Sequence, residues 1–168
     1  IIIGLTALSE SNVESNKSVE LVLPMVDTKQ EYCLAQNIYF EAGNQSLEGM
    51  AAVADVTLNR VESDSYPNDI CSVVKEGLKH PNGMMKRNMC QFSWYCDGKS
   101  DKVPAPTTSQ SWRQALSVSN AILNNNKYRG ITEGSTHYHA VYVSPDWVDD
   151  RGMTRIVQIG AHIFYKFW

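Results

Sequence analysis

Residues 28–61 read TKQEYCLAQNIYFEAGNQSLEGMAAVADVTLNRV and hold two helical patterns separated by a short turn. The motif Thr28-Lys29-Gln30-Glu31 is a capping box, which predicts a helix from Glu31 to about Ala42. Gly43-Asn44 is a typical helix end. From Ser46 to Val61 apolar residues recur at helical spacing, which predicts a second amphipathic helix. Because the connection is so short, the two helices must pack as a tight corner or hairpin.

Glu41 stands in the apolar stripe of the first predicted helix, three residues after Ile38 and seven after Leu34. Helical periodicity calls for an apolar residue there, and the negative end of the helix dipole also disfavours an anion. Burial would raise the pKa of the carboxyl, and a carboxyl that stays protonated near neutral pH can act as a general acid. The alternative is a helix-end glutamate that rotates into water or accepts capping bonds.

In the rest of the chain, the sequence predicts two further helices and then segments with the period-two alternation of strands. We expect a short helix over residues 69–76 and a third long helix from about Ser109 to Asn124. Residues 90–96 alternate loosely, which we interpret as a strand or rim segment. Residues 136–143 alternate with period two, and two further strand-like runs follow on either side of Gly160. Helices followed by a small antiparallel sheet indicate an α+β fold.

Composition limits both the domain count and the classes of partner. The chain has 168 residues with 43% hydrophobic residues, enough for one domain with a buried core. Its 15 basic and 18 acidic residues give a net charge of −3, which argues against binding to a nucleic-acid backbone. Its apolar runs are shorter than the ~20 residues of a membrane span, so we expect no stable membrane insertion. We interpret residues 1–27 as an N-terminal arm or linker and residues 28–168 as the folded domain.

The chain has four cysteines, Cys33, Cys71, Cys90 and Cys96. None forms a Cys-x-x-Cys pair, which argues against a zinc ribbon or a thioredoxin-like motif. Two disulfides in any of three pairings fit the even number, and so do four buried thiols.

The segment Gln91-Phe92-Ser93-Trp94 interleaves amide, hydroxyl and aromatic groups between positions occupied by proline and glycine. Aromatic faces stack on pyranose rings, and amides form hydrogen bonds with hydroxyl groups. The segment therefore suits a sugar-binding cleft, although an ordinary edge strand with one buried face would have the same pattern.

A set of short motifs occurs along the chain in a fixed order. They are Asn37–Gly43, Glu48–Met50, Val56–Val61, Tyr66-Pro67, Cys90–Gly98, Thr136–Ala140, Pro145–Trp147 and Ile159–Tyr165. Together they cover about residues 31–166, and the ordered set resembles the SleB-type cell-wall hydrolase family, which includes spore-cortex-lytic enzymes and phage lysins.

The resemblance implies a catalytic domain over residues 28–168, with a lysozyme-like helical half and a small β lobe. It implies cleavage of peptidoglycan between N-acetylmuramic acid and N-acetylglucosamine, as a lytic transglycosylase that needs no cofactor. The family's catalytic glutamate corresponds to Glu41. The implied place of action is outside the cytoplasm, in the periplasm or cell wall, or in a phage particle or lysis system.

We expect the substrate to lie against residues of two segments. Gln91 and Ser93 would orient sugar hydroxyls or acetamides. Phe92, Trp94 and Tyr138 would form walls, and His137 or His139 would form hydrogen bonds in the same region.

The chain departs from the family where the motif often reads Glu-Ala-Arg-Gly-Glu. Here the corresponding residues are Glu41-Ala42-Gly43-Asn44-Gln45. Gln45 cannot serve as a carboxylate base, and Glu48 falls off the apolar stripe of the second helix. We therefore expect a single-acid reaction, in which the muramyl 6-hydroxyl attacks in place of water.

Two other functions remain open from the sequence. His137 and His139 are two residues apart on a predicted strand, so they face the same way and could chelate zinc in a metal-dependent wall amidase or endopeptidase. Such a site needs a third ligand, and the remaining histidines are His80 and His162. The other alternative is a glycan-binding virion protein without catalysis.

Overall fold

The computed structural model describes residues 27–168, in which three helices precede a two-stranded antiparallel sheet and a fourth helix precedes a three-stranded one. The helices are α1 (Thr28–Ala42), α2 (Leu47–Val61), α3 (Ile70–Val74) and α4 (Gln110–Asn125). The strands are β1 (Gly77–Lys79), β2 (Met85–Cys90), β3 (His137–Ala140), β4 (Met153–Ile159) and β5 (His162–Phe167). Two 3-10 helices cover Ser93–Cys96 and Asp146–Asp149. The predicted α+β class is confirmed. Except for Asp27, the arm or linker expected over residues 1–27 lies outside the described residues.

Side-chain caps set the helix starts. Ser46 accepts a hydrogen bond from Gly49 N and begins α2, and Ser109 accepts one from Trp112 N and begins α4, both close to prediction. Helix α1 begins earlier than predicted, because Asp27 accepts a hydrogen bond from Lys29 N at 2.9 Å. The proposed capping box is therefore the first turn of the helix. Aspartate is itself a strong N-cap, so Asp27 rather than Thr28 sets the start of the helix.

The main core lies between α1, α2 and α4. Its fully buried members include Leu34, Ile38, Met50 and Val53, and Trp112 adds a large ring from α4. The corner between α1 and α2 is as tight as predicted. A Cβ at Gly43 would collide with the Tyr39 carbonyl, so the close turn requires glycine at this position.

The three-stranded sheet has the order β3-β5-β4, with antiparallel neighbours. It packs on α2 through Phe164, which contacts the buried Ala52 and Val56. Strand β3 ends at Ala140 rather than Val143, because Val143 N donates a hydrogen bond back to Ala140 O and starts a turn.

A buried polar network fastens the loop before β3 to α2. Asp55 is fully buried and accepts hydrogen bonds from Arg129, from Gly130 N and from both the backbone N and the hydroxyl of Thr132. Asn59 donates to Ser135 O at 2.8 Å. The start of β3 is thus positioned by α2 rather than by sheet pairing alone.

The region around residues 90–96 differs from the predicted strand. Strand β2 stops at Cys90, and Ser93–Cys96 turns as a 3-10 helix. The Cys90–Cys96 disulfide closes this short loop, which is incompatible with an extended segment. The second disulfide joins Cys33 of α1 to Cys71 of α3.

In the part of the chain that the structure describes, no helix is both long enough and apolar enough to cross a bilayer.

Candidate active site

Glu41 lies in the last turn of α1 and is partly buried. Its Oε2 accepts a hydrogen bond from the Tyr138 hydroxyl at 2.7 Å. Burial raises the pKa of Glu41, while the Tyr138 hydrogen bond and the positive charge of Arg60 partly oppose this rise. The carboxyl predicted from the helical stripe is therefore shielded from bulk water and biased toward its protonated form.

Tyr138 of β3 and Arg60 of α2 both stabilise the charged form of the Glu41 carboxyl. Burial and the neighbouring Glu41 carboxylate raise the pKa of Tyr138 well above its usual range, so the phenol remains a donor. The Arg60 Nε donates to Thr136 O at 2.8 Å, and its guanidinium lies over the rings of Tyr66 and Phe92. Arg60 is therefore held rigidly near the carboxyl.

Two open clefts meet at Glu41. One has a volume of about 560 Å³ and the other about 580 Å³. Both are lined by Phe40, Glu41, Ala140, Tyr142 and His162. Together they form a channel across the carboxyl, which we call the Glu41 trough. Its size and position suit a polymer that passes over the acid on both sides.

Trp94 forms a fixed wall of the Glu41 trough. Its ring stacks on Phe40 at a centroid distance of 4.6 Å, and its indole N–H donates to Asn37 Oδ1 at 2.9 Å. The Asn37 amide in turn donates to the Thr57 hydroxyl. These contacts fix the Trp94 ring, which is 7% exposed, in the wall of the trough, although Trp94 is distant from α1 and α2 in sequence.

The predicted substrate-binding residues divide between two regions. Ser93, Trp94, Tyr138 and His139 line the Glu41 trough. Gln91 and His137 line a different cleft of about 650 Å³. Phe92 is only 1% exposed and lies beneath the Arg60 guanidinium, so it supports the wall from behind. A larger depression of about 740 Å³ near Asp69 contains none of the predicted site residues.

His137 and His139 share one side of β3, as the alternation predicts, because both rings lie near Trp147. His139 uses both ring nitrogens within the protein, Nδ1 with Ala140 O and Nε2 with the Tyr165 hydroxyl. Among residues 27–168 no group of three or more His, Cys, Asp or Glu side chains is arranged to hold a metal ion. The geometry therefore offers this histidine pair no third ligand within that range.

His162 was not predicted as a site residue, yet it lines both clefts of the Glu41 trough. It is 7% exposed, and its ring lies 5.0 Å from that of Tyr138. Burial and the nearby His139 lower its pKa, so the imidazole is biased toward its neutral form. Its Nδ1 has no hydrogen-bond partner among the described residues. The sequence signal was its place in the motif Ile159–Tyr165.

Gln45 occupies the position where the related motif carries a second glutamate. Its Oε1 accepts a hydrogen bond from Ala161 N at 3.1 Å, which ties the β4–β5 turn to the α1–α2 corner. Gly160 in this turn has φ +56°, and a Cβ there would lie 2.9 Å from Gln45 Oε1. Gln45 accepts this bond as an uncharged side chain, and a glutamate could accept it equally well. The structural role of this position therefore does not require a charge.

A family model and two curated relatives agree on the family to which this chain is similar. A family model described as Cell Wall Hydrolase matches residues 44–165. The spore cortex-lytic enzyme of Bacillus subtilis (strain 168) is 28% identical over 131 residues, which cover 78% of this chain and 35% of that protein. The spore cortex-lytic enzyme of Halalkalibacterium halodurans is 29% identical over 136 residues, covering 78% and 33%. The chain thus spans about a third of the length of the curated relatives it matches.

Solved structures with the same fold are also found. The catalytic domain of the Bacillus cereus SleB protein superposes with a TM-score of 0.56 at 24% identity, covering 85% of this chain and 94% of that one. The catalytic domain of a germination-specific lytic transglycosylase, SleB from Bacillus anthracis, gives 0.57 at 24% identity, covering 85% and 98%. At this level of identity the likeness establishes the shared fold.

Proposed function

Because the chain belongs to the cell wall hydrolase family, we propose that it cleaves the glycan strand of peptidoglycan with Glu41 as its general acid. The observation that carries this proposal is a partly buried carboxyl, with a raised pKa, at the point where two open clefts of about 560 and 580 Å³ meet. The relatives named as spore cortex-lytic enzymes and as a lytic transglycosylase support the same activity.

In the proposed reaction, the protonated Glu41 gives its proton to the oxygen between N-acetylmuramic acid and N-acetylglucosamine. The bond from the muramyl C1 to that oxygen breaks, through an oxocarbenium-like transition state. Glu41, now a carboxylate, takes the proton of the muramyl 6-hydroxyl while that oxygen bonds to C1. The products are an anhydro-muramyl end and a new N-acetylglucosamine end, and Glu41 is again protonated.

Tyr138 is proposed to act on this cycle through Glu41. Its hydroxyl donates to Oε2, so it fixes the carboxyl and stabilises the carboxylate that exists between the two proton transfers. Trp94 would support a sugar ring, and Ser93 would contact sugar hydroxyls along the same wall. His139 would shape this wall, because both of its ring nitrogens are bonded within the protein. Phe92 would support this wall from behind.

A two-carboxylate hydrolytic route would need a second group to activate water. The Glu41 trough also contains Asp97, whose Oδ1 accepts a hydrogen bond from Lys99 N at 2.8 Å and whose Oδ2 lies 3.8 Å from Lys99 Nζ. These contacts hold the carboxylate against Lys99. They favour the single-acid route, in which the sugar's own hydroxyl replaces water.

The setting of the reaction is proposed to be outside the cytoplasm. Two disulfides within one domain are typical of oxidising compartments, and the wall polymer lies there. Within that setting the protein would act in the periplasm or cell wall, or as a phage virion or lysis protein.

The test is digestion of purified sacculi, followed by mass spectrometry of the released muropeptides. Anhydro ends weigh one water less than hydrolysed ends, so the product identifies the route. We expect anhydro ends from the unmodified protein. Glu41→Gln should lose about 10²–10⁴-fold in rate, as expected for removal of a general acid.

The matched control is Glu48→Gln, because Glu48 is an exposed helical glutamate outside the trough. It should release fragments at the normal rate. Near-normal clearing of sacculi by Glu41→Gln would reject the assignment of the acid. Binding to sacculi without any soluble fragments would instead favour the non-catalytic glycan-binding function.

A further inference from the structure

The cleft that contains Gln91 and His137 lies next to the Glu41 trough but is separate from it. It has a volume of about 650 Å³. Its wall combines side chains from α2, β3, β5 and the loop before β4, including Tyr66, His137, Trp147, Asp150, Lys166 and Phe167. No step of the proposed reaction uses this second cleft.

The second cleft and the Glu41 trough follow the same strand. His137 lines the cleft, Tyr138 bonds to Glu41, and His139 lines the trough. Residues two apart on a strand are about 7 Å apart, so the two sites are neighbours. The opposite wall repeats this order, with Gln91 in the cleft and Ser93 in the trough.

The second cleft carries charges of both signs. Within residues 27–168, neither Lys166 nor Asp150 makes an ion pair. The Lys166 Nζ lies 4.1 Å from the centre of the Trp168 ring. Glu62, a third charged residue of the wall, is already paired with Arg129 at 2.8 Å. Burial lowers the pKa of His137, so this ring adds little positive charge. One ammonium and one carboxylate are therefore available to a ligand.

The ammonium and the carboxylate of the second cleft determine which component of the cell wall it can bind. The N-acetylated sugar rings are uncharged, and the lactyl carboxylate of an unsubstituted muramic acid could use only the ammonium of the pair. A polyanionic wall polymer would be repelled by Asp150. A short peptide with both carboxylate and ammonium groups complements the pair, and its aliphatic side chains can pack on Trp147 and Phe167.

We propose that the second cleft binds the peptide stem attached to the muramic acid beside the scissile bond, an inference that rests on the proposed glycan cleavage. Lys166 contacts a carboxylate of the stem, and Asp150 contacts the ammonium of its diamino acid. Two or three extended residues span about 7 Å, so a stem whose sugar lies over Glu41 reaches the cleft. The protein is then specific for peptide-substituted glycan.

The test compares two substrates that differ in the stem and in the lactyl carboxylate that removal of the stem exposes. One is glycan strands with intact peptides, and the other is the same strands after an amidase has removed the peptides. The measured quantity is the ratio of the two kcat/KM values. We expect the unmodified protein to favour the peptide-bearing strands by about tenfold, as two charge contacts and some apolar burial would give.

Two variants locate this preference in the cleft. Lys166→Gln and Asp150→Asn should each lower the ratio by about two- to fivefold, the range expected for one exposed charge contact. The matched control is Lys127→Gln, since Lys127 also lies over an aromatic ring, that of Tyr128, but outside the cleft. Its ratio should equal that of the unmodified protein.

A ratio near one for the unmodified protein, or an unchanged ratio in both cleft variants, overturns the proposal. If neither substrate is cleaved, the glycan-cleaving function is what fails. A binding measurement then decides on the cleft alone. Free stem peptide titrated into the protein should change tryptophan fluorescence and bind more weakly to Lys166→Gln, and no binding in this titration overturns the proposal.

Discussion

The hydrogen bond between Tyr138 and Glu41 joins the two halves of the molecule at the carboxyl that we propose as the general acid. Burial favours the neutral acid that must donate a proton, and the phenol favours the carboxylate that must later accept one. Both states are needed within one turnover. We interpret the pair as a compromise that keeps either state accessible.

Removal of the phenol donor should therefore change the pH profile. In Tyr138→Phe the carboxylate loses a hydrogen bond, so the pKa of Glu41 rises further. The alkaline limb of kcat/KM, where the acid loses its proton, should move to higher pH. The loss of rate at the optimum should be far smaller than the about 10²–10⁴-fold expected from loss of the acid itself.

The comparison for this variant is Tyr142→Phe, because Tyr142 lines the same trough with an 84% exposed side chain. Its alkaline limb should stay in place. A Tyr138→Phe limb that stays unchanged, or that moves to lower pH, contradicts the role assigned to the hydrogen bond.

The buried carboxyl should also lower stability. A group whose pKa is raised by folding favours the folded state at low pH, and this advantage is lost as pH rises through the folded pKa. Glu41→Gln stays neutral throughout. Its melting temperature should match that of the unmodified protein below pH 4.5, the ordinary pKa of the group, and exceed it increasingly above that pH. Thermal unfolding at several pH values measures this, and an unchanged difference across the range would refute it.

At the scale of elements, Asp55 decides where β3 begins. It holds the loop at residues 129–132 against α2, and Tyr138 follows a few residues later. Asp55→Ala should reduce the free energy of unfolding by about 3 kcal/mol. The reason is that the buried donors at residues 129–132 lose their acceptor. It should also slow cleavage, because Tyr138 loses its fixed position.

Urea unfolding at neutral pH measures the effect on stability. The control is Asp64→Ala, which removes an exposed aspartate. That variant should unfold within about 0.5 kcal/mol of the unmodified protein, as is usual at the surface. Equal midpoints for the two variants would show that the network contributes little.

The sequence predicts the secondary-structure elements correctly where the pattern that defines them is local. The apolar period placed α2 and α4 within a residue or two. The same period singled out Glu41. The strand alternative for residues 90–96 is wrong, because the shape of this segment follows from a disulfide and from the bond between Trp94 and Asn37. These contacts are formed only in the fold.

The division of the predicted binding residues could not be foreseen for the same reason. Alternation placed His137 and His139 on one side of β3, but which cleft each faces depends on Trp147 and on the opposite wall. Asp55 gave no sequence signal, since its partners lie more than 70 residues away. His162 did have one, within a motif of the ordered set.

At the scale of the whole molecule, the two disulfides should differ in their contribution to stability. Cys33–Cys71 spans 38 residues and joins α1 to α3, whereas Cys90–Cys96 spans only 6. Loop-closure entropy gives about 4 kcal/mol for the first and about 2 kcal/mol for the second. Paired Cys→Ala variants compared by urea unfolding should show this order, and the reverse order would contradict the entropic account.

The Glu41 trough continues past the carboxyl on both sides, as two open clefts. A site of this shape does not need a chain terminus, so the proposed cleavage would take place in the middle of a strand. Long oligosaccharides would then accumulate before disaccharides, and the mesh would lose its mechanical strength after few cuts. Chromatography of the earliest products by length would distinguish this endolytic pattern from stepwise removal of terminal units.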